Sequence, residues 1–321
     1  MAIDAAPQTP QIQYKPLHPT FVAEASGVDL TKPTPELVAE IKNGLAQYGV
    51  LVFRKTGLDD DSHVALSRLF GELDDVTPYN KLGRLNRLKY DELFDVSNVD
   101  GDGNIIQPKS QRGILGRGNT IFHVDSSFNP RRAGYSLLLA HQLPPKGFGG
   151  ETEFADSRTA YADLPQETKD KIADWALMHS QHHSRRVASP GEPLLEEERF
   201  LPKSHPFGVH KLVQLHEPSG RTNMYIANHA YAVQGKDLEE GQQEIRALLD
   251  HATQSKYVTA VHWYDEGDLV IWDNTCVMHR ACPGAFEGQY KRDMRRTTVH
   301  DSSSFAWGLN KVGDTWRSGL P

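Results

Sequence analysis

His123 and Asp125 stand two residues apart in the run FHVD at 122–125, so on an extended segment their side chains leave the backbone on the same face. An imidazole and a carboxylate placed together can share a divalent metal. His279, which follows the apolar run 269–272 and the polar pair Asp273 and Asn274, offers a third donor. Two imidazoles and one carboxylate fill one face of an octahedral iron(II) and leave the positions that a chelating cosubstrate and dioxygen need. By itself the HxD spacing is unspecific, and any single His is more often a core or surface residue than a ligand.

A second feature narrows the chemistry. In residues 291–299, Arg292, Met294, Arg296 and Thr298 fall on one face of a strand. A guanidinium is always charged, so two arginines turned toward a β core call for anionic partners, and a dicarboxylate cosubstrate supplies one. The plain alternative is a solvated strand face with surface ion pairs. The same three ligands would serve a zinc hydrolase, which needs a positioned base, whereas a non-catalytic binding barrel needs no complete triad.

These groups need a rigid frame. Thr34 and Pro35 open a helical pattern in which Leu37, Val38, Ile41 and Leu45 recur until Gly49 ends it, and residues 50–53 read as a buried strand. A second helix is expected over 61–70, started by Asp59, Asp60 and Asp61 and closed by Gly71. Strand-like runs follow at 93–99, 135–142, 209–215, 224–227, 257–263, 269–272 and 294–299, interrupted by helices over 165–175 and 238–252. Residues 1–15 read as a flexible arm before a single domain over 16–321, and 100–120 and 184–208 as long polar loops over a site. His179, His182 and His183 read as a partly exposed polar patch.

Composition fits a globular protein, with 38% hydrophobic and 24% charged residues. A net charge of -7 argues against a general nucleic-acid binder. No run is long enough for a membrane span, and the N-terminal stretch lacks the apolar core of a signal peptide, so a cytoplasmic protein is expected. The two cysteines, Cys276 and Cys282, read as reduced packing residues.

With those residues in view, the chain resembles the TauD/TfdA superfamily of dioxygenases from Phe21 to His300. The resemblance rests on GVLVFR at 49–54, LSRLFG at 66–71, HVDSSF at 123–128, GGETEFA at 149–155, GDLVIWDNTCVMHR at 267–280 and RDMRRTT at 292–298. KYDELFDVSNV at 89–99 and IANHAYAV at 226–233 are similar to the 2,4-dichlorophenoxyacetate branch. The resemblance implies a β-rich α+β fold, a double-stranded β-helix or jelly roll with flanking helices and lid loops. It implies that His123, Asp125 and His279 hold Fe(II), that Thr152 and Arg292 hold the distal carboxylate of 2-oxoglutarate, and that dioxygen is consumed. It further implies that Arg296, His229 and Asn98 contact the prime substrate, with Lys81 and Lys89 in the corresponding loop region. The expected activity is hydroxylation of an unactivated C–H of a small or medium anion, an aryloxy or other carboxylic acid, with release of succinate and carbon dioxide. A taurine-type sulfonate is the alternative, followed by an amino-acid or secondary-metabolite oxidase performing desaturation or cyclisation. Because Asp125 is kept, the halide site of resembling halogenases is not expected. A homo-oligomer, dimer or tetramer, is usual in the resembling family.

Overall fold

The computed structural model describes residues 11–79 and 87–318. In chain order it contains β1 (Gln13–Pro16), β2 (Ala23–Ser26), α1 (Pro35–Tyr48), β3 (Val50–Phe53), α2 (Asp60–Phe70), β4 (Phe94–Asp95), α3 (Gln111–Gly116), β5 (Ala133–Gln142), β6 (Thr152–Asp156), α4 (Ser157–Ala162) and α5 (Gln166–Ile172). It continues with β7 (Ala176–His179), α6 (Gln181–Ala188), β8 (Gly208–Lys211), β9 (Val213–His216), β10 (Arg221–Met224), β11 (Ala230–Val233), α7 (Leu238–Ala252), β12 (Val258–Val261), β13 (Leu269–Asp273), β14 (Val277–Ala281) and β15 (Asp293–His300).

One wall is a seven-stranded sheet in the order β1-β2-β3-β13-β5-β15-β4, antiparallel except where β2 meets β3. The facing wall is the sheet β12-β6-β14, with the sheet β11-β7-β8 and the ribbon β9–β10 alongside. Alternation along the strands explains both faces of the first wall. Val50, Val52, Leu138, Val270, Trp272 and Met294 point between the walls and meet Phe154 and Val261. Leu51, Leu137, Leu139, Leu269 and Ile271 point outward under Ile41, Leu45, Leu66 and Phe70 of α1 and α2. Both faces are therefore covered, which is why VLVF at β3 has no polar residue. On the second wall, Ile245, Leu248 and Ala252 of α7 cover Ala155, Leu177 and Met278. Each such side chain contributes about 1.5–3 kcal/mol when fully buried. Two antiparallel walls with helices outside make the jelly roll expected from the sequence.

Local chemistry sets the ends of the elements. The Thr34 hydroxyl accepts from the Leu37 N–H (3.2 Å), and Gly49, at φ 71°, donates its N–H to the Leu45 carbonyl (2.7 Å). The helices α1, α2 and α7 lie where periodicity puts them. The strand expected over 93–99 shrinks to β4, because the Asp95 carboxylate accepts from the Ser97 N–H (3.2 Å) and hydroxyl (2.5 Å) and turns the chain. The run 209–215 divides into β8 and β9 at Leu212, where the partner changes: its N–H continues the β7 ladder to the Trp175 carbonyl (2.8 Å), and its carbonyl accepts from the Tyr225 N–H (2.7 Å) at the start of the β9–β10 ladder. Of the run 224–227, Met224 ends β10 and residues 225–227 are buried irregular chain. The stretch 184–208 begins inside α6, capped by the Ser180 hydroxyl on the His183 N–H (3.3 Å), so it is not a plain loop. β1 begins inside the stretch expected as an arm, where Ile12 is buried and its N–H donates to Glu40 (2.7 Å). Among the described residues no helix is long and apolar enough to cross a membrane.

Candidate metal centre and substrate cavity

The backbone brings the triad together. His123 and His279 form an isolated antiparallel bridge that extends β14 toward the loop after residue 121. Opposed residues share a sheet face, and the two imidazole centroids lie 4.2 Å apart. Asp125 follows on the same face, its Oδ1 3.8 Å from His279 Nε2. One donor atom from each of the three lies within 4.8 Å of the others, and all three residues are buried. Immediately after Asp125 the chain reverses at Ser126, which takes φ 53°, a conformation costing about 1–3 kcal/mol for a non-glycine residue and often found at functional sites.

Neighbouring groups fix each donor. His123 Nδ1 faces the Ile121 carbonyl (2.8 Å), which assigns the N–H there and leaves Nε2 as a lone-pair donor. Asp125 accepts at Oδ2 from the Ser136 hydroxyl (2.7 Å), and its N–H donates to Asn274 Oδ1 (2.9 Å). Asn274 also donates to Ser136 Oγ (2.9 Å) and the Gly134 carbonyl (3.1 Å), and accepts from Trp272 Nε1 (3.0 Å). The Trp272 ring packs on His279 with centroids 4.6 Å apart. Burial pushes the pKa of His123 and His279 down, keeping both imidazoles neutral. Burial alone would raise Asp125, but the charge of Arg296 and the hydrogen bond from Ser136 oppose it and hold the carboxylate below its ordinary range. Neutral imidazoles and an ionised carboxylate are the donor forms a divalent metal requires, so the residues present fit one.

The triad opens into a cavity of about 810 Å³, a volume suited to a small ligand with a cosubstrate. Asn98, Phe128, His229, Arg292 and Arg296 line it with His123 and Asp125. Arg292 is buried, donates to the Gly150 carbonyl from Nε (3.3 Å) and Nη2 (3.0 Å), and has no carboxylate partner among the described residues. Burial lowers its pKa to about 10, so it stays charged, with Glu151 acting on it without a direct ion pair. Gly150, at φ 96°, permits this approach: a Cβ there would lie 3.2 Å from Arg292 Nε. Thr152, two residues on, is buried at the start of β6 and accepts from Trp263 Nε1 (3.2 Å).

The other expected contacts divide. Arg296 reaches the site, but its Nη1 is paired with Asp125 Oδ1 (2.5 Å). His229 is buried beside His123, and its Nδ1 meets Ser127 Oγ (2.9 Å). Asn98 lines the cavity while its amide is engaged, accepting from the Arg292 N–H (2.7 Å) and donating to the Tyr290 carbonyl (2.8 Å). Lys89 is not brought to the site: it is exposed and paired with Asp61 at 2.7 Å. Lys81 lies outside the described residues. His179 is fully buried, with Nδ1 on Ser127 Oγ (3.0 Å), and His182 is buried too, so this cluster is not a partly exposed patch. Asp273 accepts from His216 Nε2 (3.0 Å) and from the Thr275 N–H (2.8 Å). Ser136, Asn274 and Ser127 escape a reading of sequence, because small polar residues acquire these roles only when distant strands meet.

A jelly roll that presents two imidazoles and one carboxylate in one cavity with a buried arginine that has no direct ion pair defines a mononuclear non-haem dioxygenase scaffold. Residues 13–298 match the family described as taurine catabolism dioxygenase TauD, TfdA family. The chain is similar to the alpha-ketoglutarate-dependent 2,4-dichlorophenoxyacetate dioxygenases of Burkholderia sp. (strain RASC), at 37% identity over 88% of this chain and 92% of that one, and of Cupriavidus pinatubonensis, at 35% over 90% and 97%. It is also similar to the crystal structure of AAD-2 in complex with Mn(II) and N-oxalylglycine, with TM-score 0.83 and 35% identity over 91% of this chain and 98% of that one. The chain belongs to the TauD/TfdA family. It is an Fe(II)- and 2-oxoglutarate-dependent dioxygenase acting on a small molecule, with dioxygen as the oxidant.

Proposed function

We propose that the enzyme hydroxylates an aryloxy or other carboxylic acid at the carbon beside its heteroatom, giving a hemiacetal that falls apart. His123, Asp125 and His279 hold the iron; Thr152 and Arg292 hold the distal carboxylate of 2-oxoglutarate; Arg296 stands at the anionic end of the pocket, with His229 against the substrate. Bound iron supplies oxidative decarboxylation of 2-oxoglutarate to succinate and carbon dioxide, coupled to oxidation of a C–H bond.

The chain's own residues position and shield. Arg292 orients the cosubstrate, and Asn98 holds Arg292 through its backbone N–H. Ser136 and Asn274 keep the Asp125 carboxylate turned toward the two imidazoles. Phe94, Phe128 and Val96 give the cavity apolar wall for a ring. The observation that carries the reading is Arg292, a buried guanidinium without a carboxylate partner among the described residues in the same cavity as the triad. A zinc hydrolase has no use for it.

The similarity to two enzymes named for 2,4-dichlorophenoxyacetate supports the choice of acid. We further propose one catalytic domain over residues 16–321, acting in the cytoplasm as a dimer or tetramer on a small anion, without nucleic acid or membrane as partner. Succinate release across a panel of aryloxyacetates, aliphatic carboxylates and sulfonates tests the substrate. Turnover of an aryloxyacetate with release of the phenol is expected, and turnover of sulfonates alone would overturn the proposal.

A further inference from the structure

His229 lines the cavity in edge contact with Phe128, the ring centroids 5.0 Å apart. Its Nδ1 is taken by Ser127 Oγ at 2.9 Å. Its Nε2 has no partner among the described residues and is open toward the cavity, whereas the equally unpartnered His179 Nε2 is enclosed in the core. Which His229 nitrogen carries the proton decides what the cavity offers a ligand there, an N–H that donates or a lone pair that accepts.

Ser127 Oγ also meets His179 Nδ1 at 3.0 Å, so one hydroxyl stands between two imidazoles. Both rings are buried, neither has a carboxylate hydrogen bond among the described residues, and burial holds both neutral. Each neutral ring carries one N–H and the hydroxyl has one proton, so two arrangements satisfy both contacts. If Ser127 donated to His179, the His179 proton would sit on Nε2, an enclosed donor with nothing to receive it. If Ser127 donates to His229, His179 Nδ1–H donates to Ser127 and only a lone pair is left enclosed. Buried donors without a partner are rarer than buried acceptors without one. His210, in the same cluster, follows that rule: its Nε2 donates to the Ser127 carbonyl (3.0 Å), so its enclosed, unpartnered Nδ1 is a lone pair.

We propose that Ser127 and His179 are positioning residues that lock His229 in its Nε2–H form, giving the cavity a fixed neutral donor for an oxygen acceptor of the prime substrate. Neither Ser127 nor His179 lines the cavity; both act through His229, next to the point where β7 and β11 pair at His179 and Ala230. An ether or carboxylate oxygen fits such a donor, and an ammonium or other donor group does not. This rests on the placing of His229 against the substrate proposed above and leaves Arg296 at the anionic end.

The test reads the proton first and binding second, in wild type, Ser127→Ala and His179→Phe loaded with 2-oxoglutarate and Zn(II), a diamagnetic stand-in for Fe(II). Long-range proton–nitrogen NMR spectra of protein labelled at the histidine ring nitrogens, with His229→Gln to assign the signal, are expected to show His229 wholly as Nε2–H in wild type. His179→Phe keeps a ring and the Ser127 hydroxyl but frees that hydroxyl to accept from His229, so an Nδ1–H population is expected to appear. Phenoxyacetate is expected to bind both variants at least about twofold more weakly, the loss when half of the molecules carry the proton at Nδ1, with 2-oxoglutarate affinity unchanged. An Nδ1–H or mixed His229 in wild type would overturn the proposal, and that spectrum stands even where a buried variant fails to fold. So would folded variants that bind phenoxyacetate as tightly as wild type. A wild type that binds 2-oxoglutarate but not phenoxyacetate would instead bring down the aryloxy reading, and the spectrum would then decide the relay.

Discussion

His123 and His279 exchange two backbone hydrogen bonds, from His123 N–H to the His279 carbonyl (2.9 Å) and from His279 N–H to the His123 carbonyl (2.8 Å). The bridge fixes the relative height and face of two ligands that are far apart in the chain, before any metal binds. Asp125 is added by the two-residue period of the same extended segment. A backbone bridge of this kind holds the two imidazoles in register on one face.

Asn274 ties this ladder to the carboxylate. Its side chain satisfies the Asp125 N–H, Ser136 Oγ and Trp272 Nε1 together. Asn274→Ala should therefore weaken Fe(II) binding by roughly 10–100-fold, since groups that orient ligands are worth about that much. Metal titration of the folded variant checks this; unchanged affinity would show that the ladder alone positions Asp125.

Arg292→Gln should weaken 2-oxoglutarate by about 1.5–3 kcal/mol, roughly ten- to a hundredfold, while leaving metal affinity intact. Calorimetric titration with 2-oxoglutarate separates the two. A variant that binds the cosubstrate as wild type does would remove Arg292 from its site.

Lys89→Ala should change neither turnover nor the Michaelis constant for any acid substrate, because Lys89 is exposed and paired with Asp61. Its melting temperature should match that of wild type, because an exposed ion pair contributes little to stability. A rise in the Michaelis constant would require the loop to swing inward in the working enzyme.

His216 adds a pH dependence to stability. Burial opposes its charge, but Cys276 and Asp273 outweigh burial and raise its pKa to about 10. A raised folded pKa stabilises fully below the unfolded value near 6.5, and that contribution is lost as pH climbs through about 10. Melting curves from pH 6 to 10 should show the advantage of wild type over His216→Gln shrinking across that window. A constant difference would mean that His216 stays in one protonation state throughout.

Much of the frame is written in local pattern. Thr34, Pro35 and Gly49 bound α1, and β3 reads as buried because α1 and α2 cover one face and the second wall the other. The HxD segment and His279 are legible because a metal restricts donor type and the strand period restricts spacing. What is not legible depends on long-range meetings. Leu212 changes partner from Trp175 to Tyr225, and Ser127 bridges His229 and His179 only after β7 and β11 pair. Lys89 shows the converse: a charge near a motif in sequence points elsewhere once Asp61 captures it.

The most direct test of the metal centre is the visible absorption of anaerobic protein titrated with Fe(II) and 2-oxoglutarate, run beside Asp125→Ala and Arg292→Ala. A charge-transfer band of the iron–oxo-acid chelate is expected in wild type and should be weakened or lost in both variants. No band in wild type, with zinc in place of iron by metal analysis, would contradict the assignment of His123, Asp125 and His279 to a 2-oxoglutarate-dependent iron site.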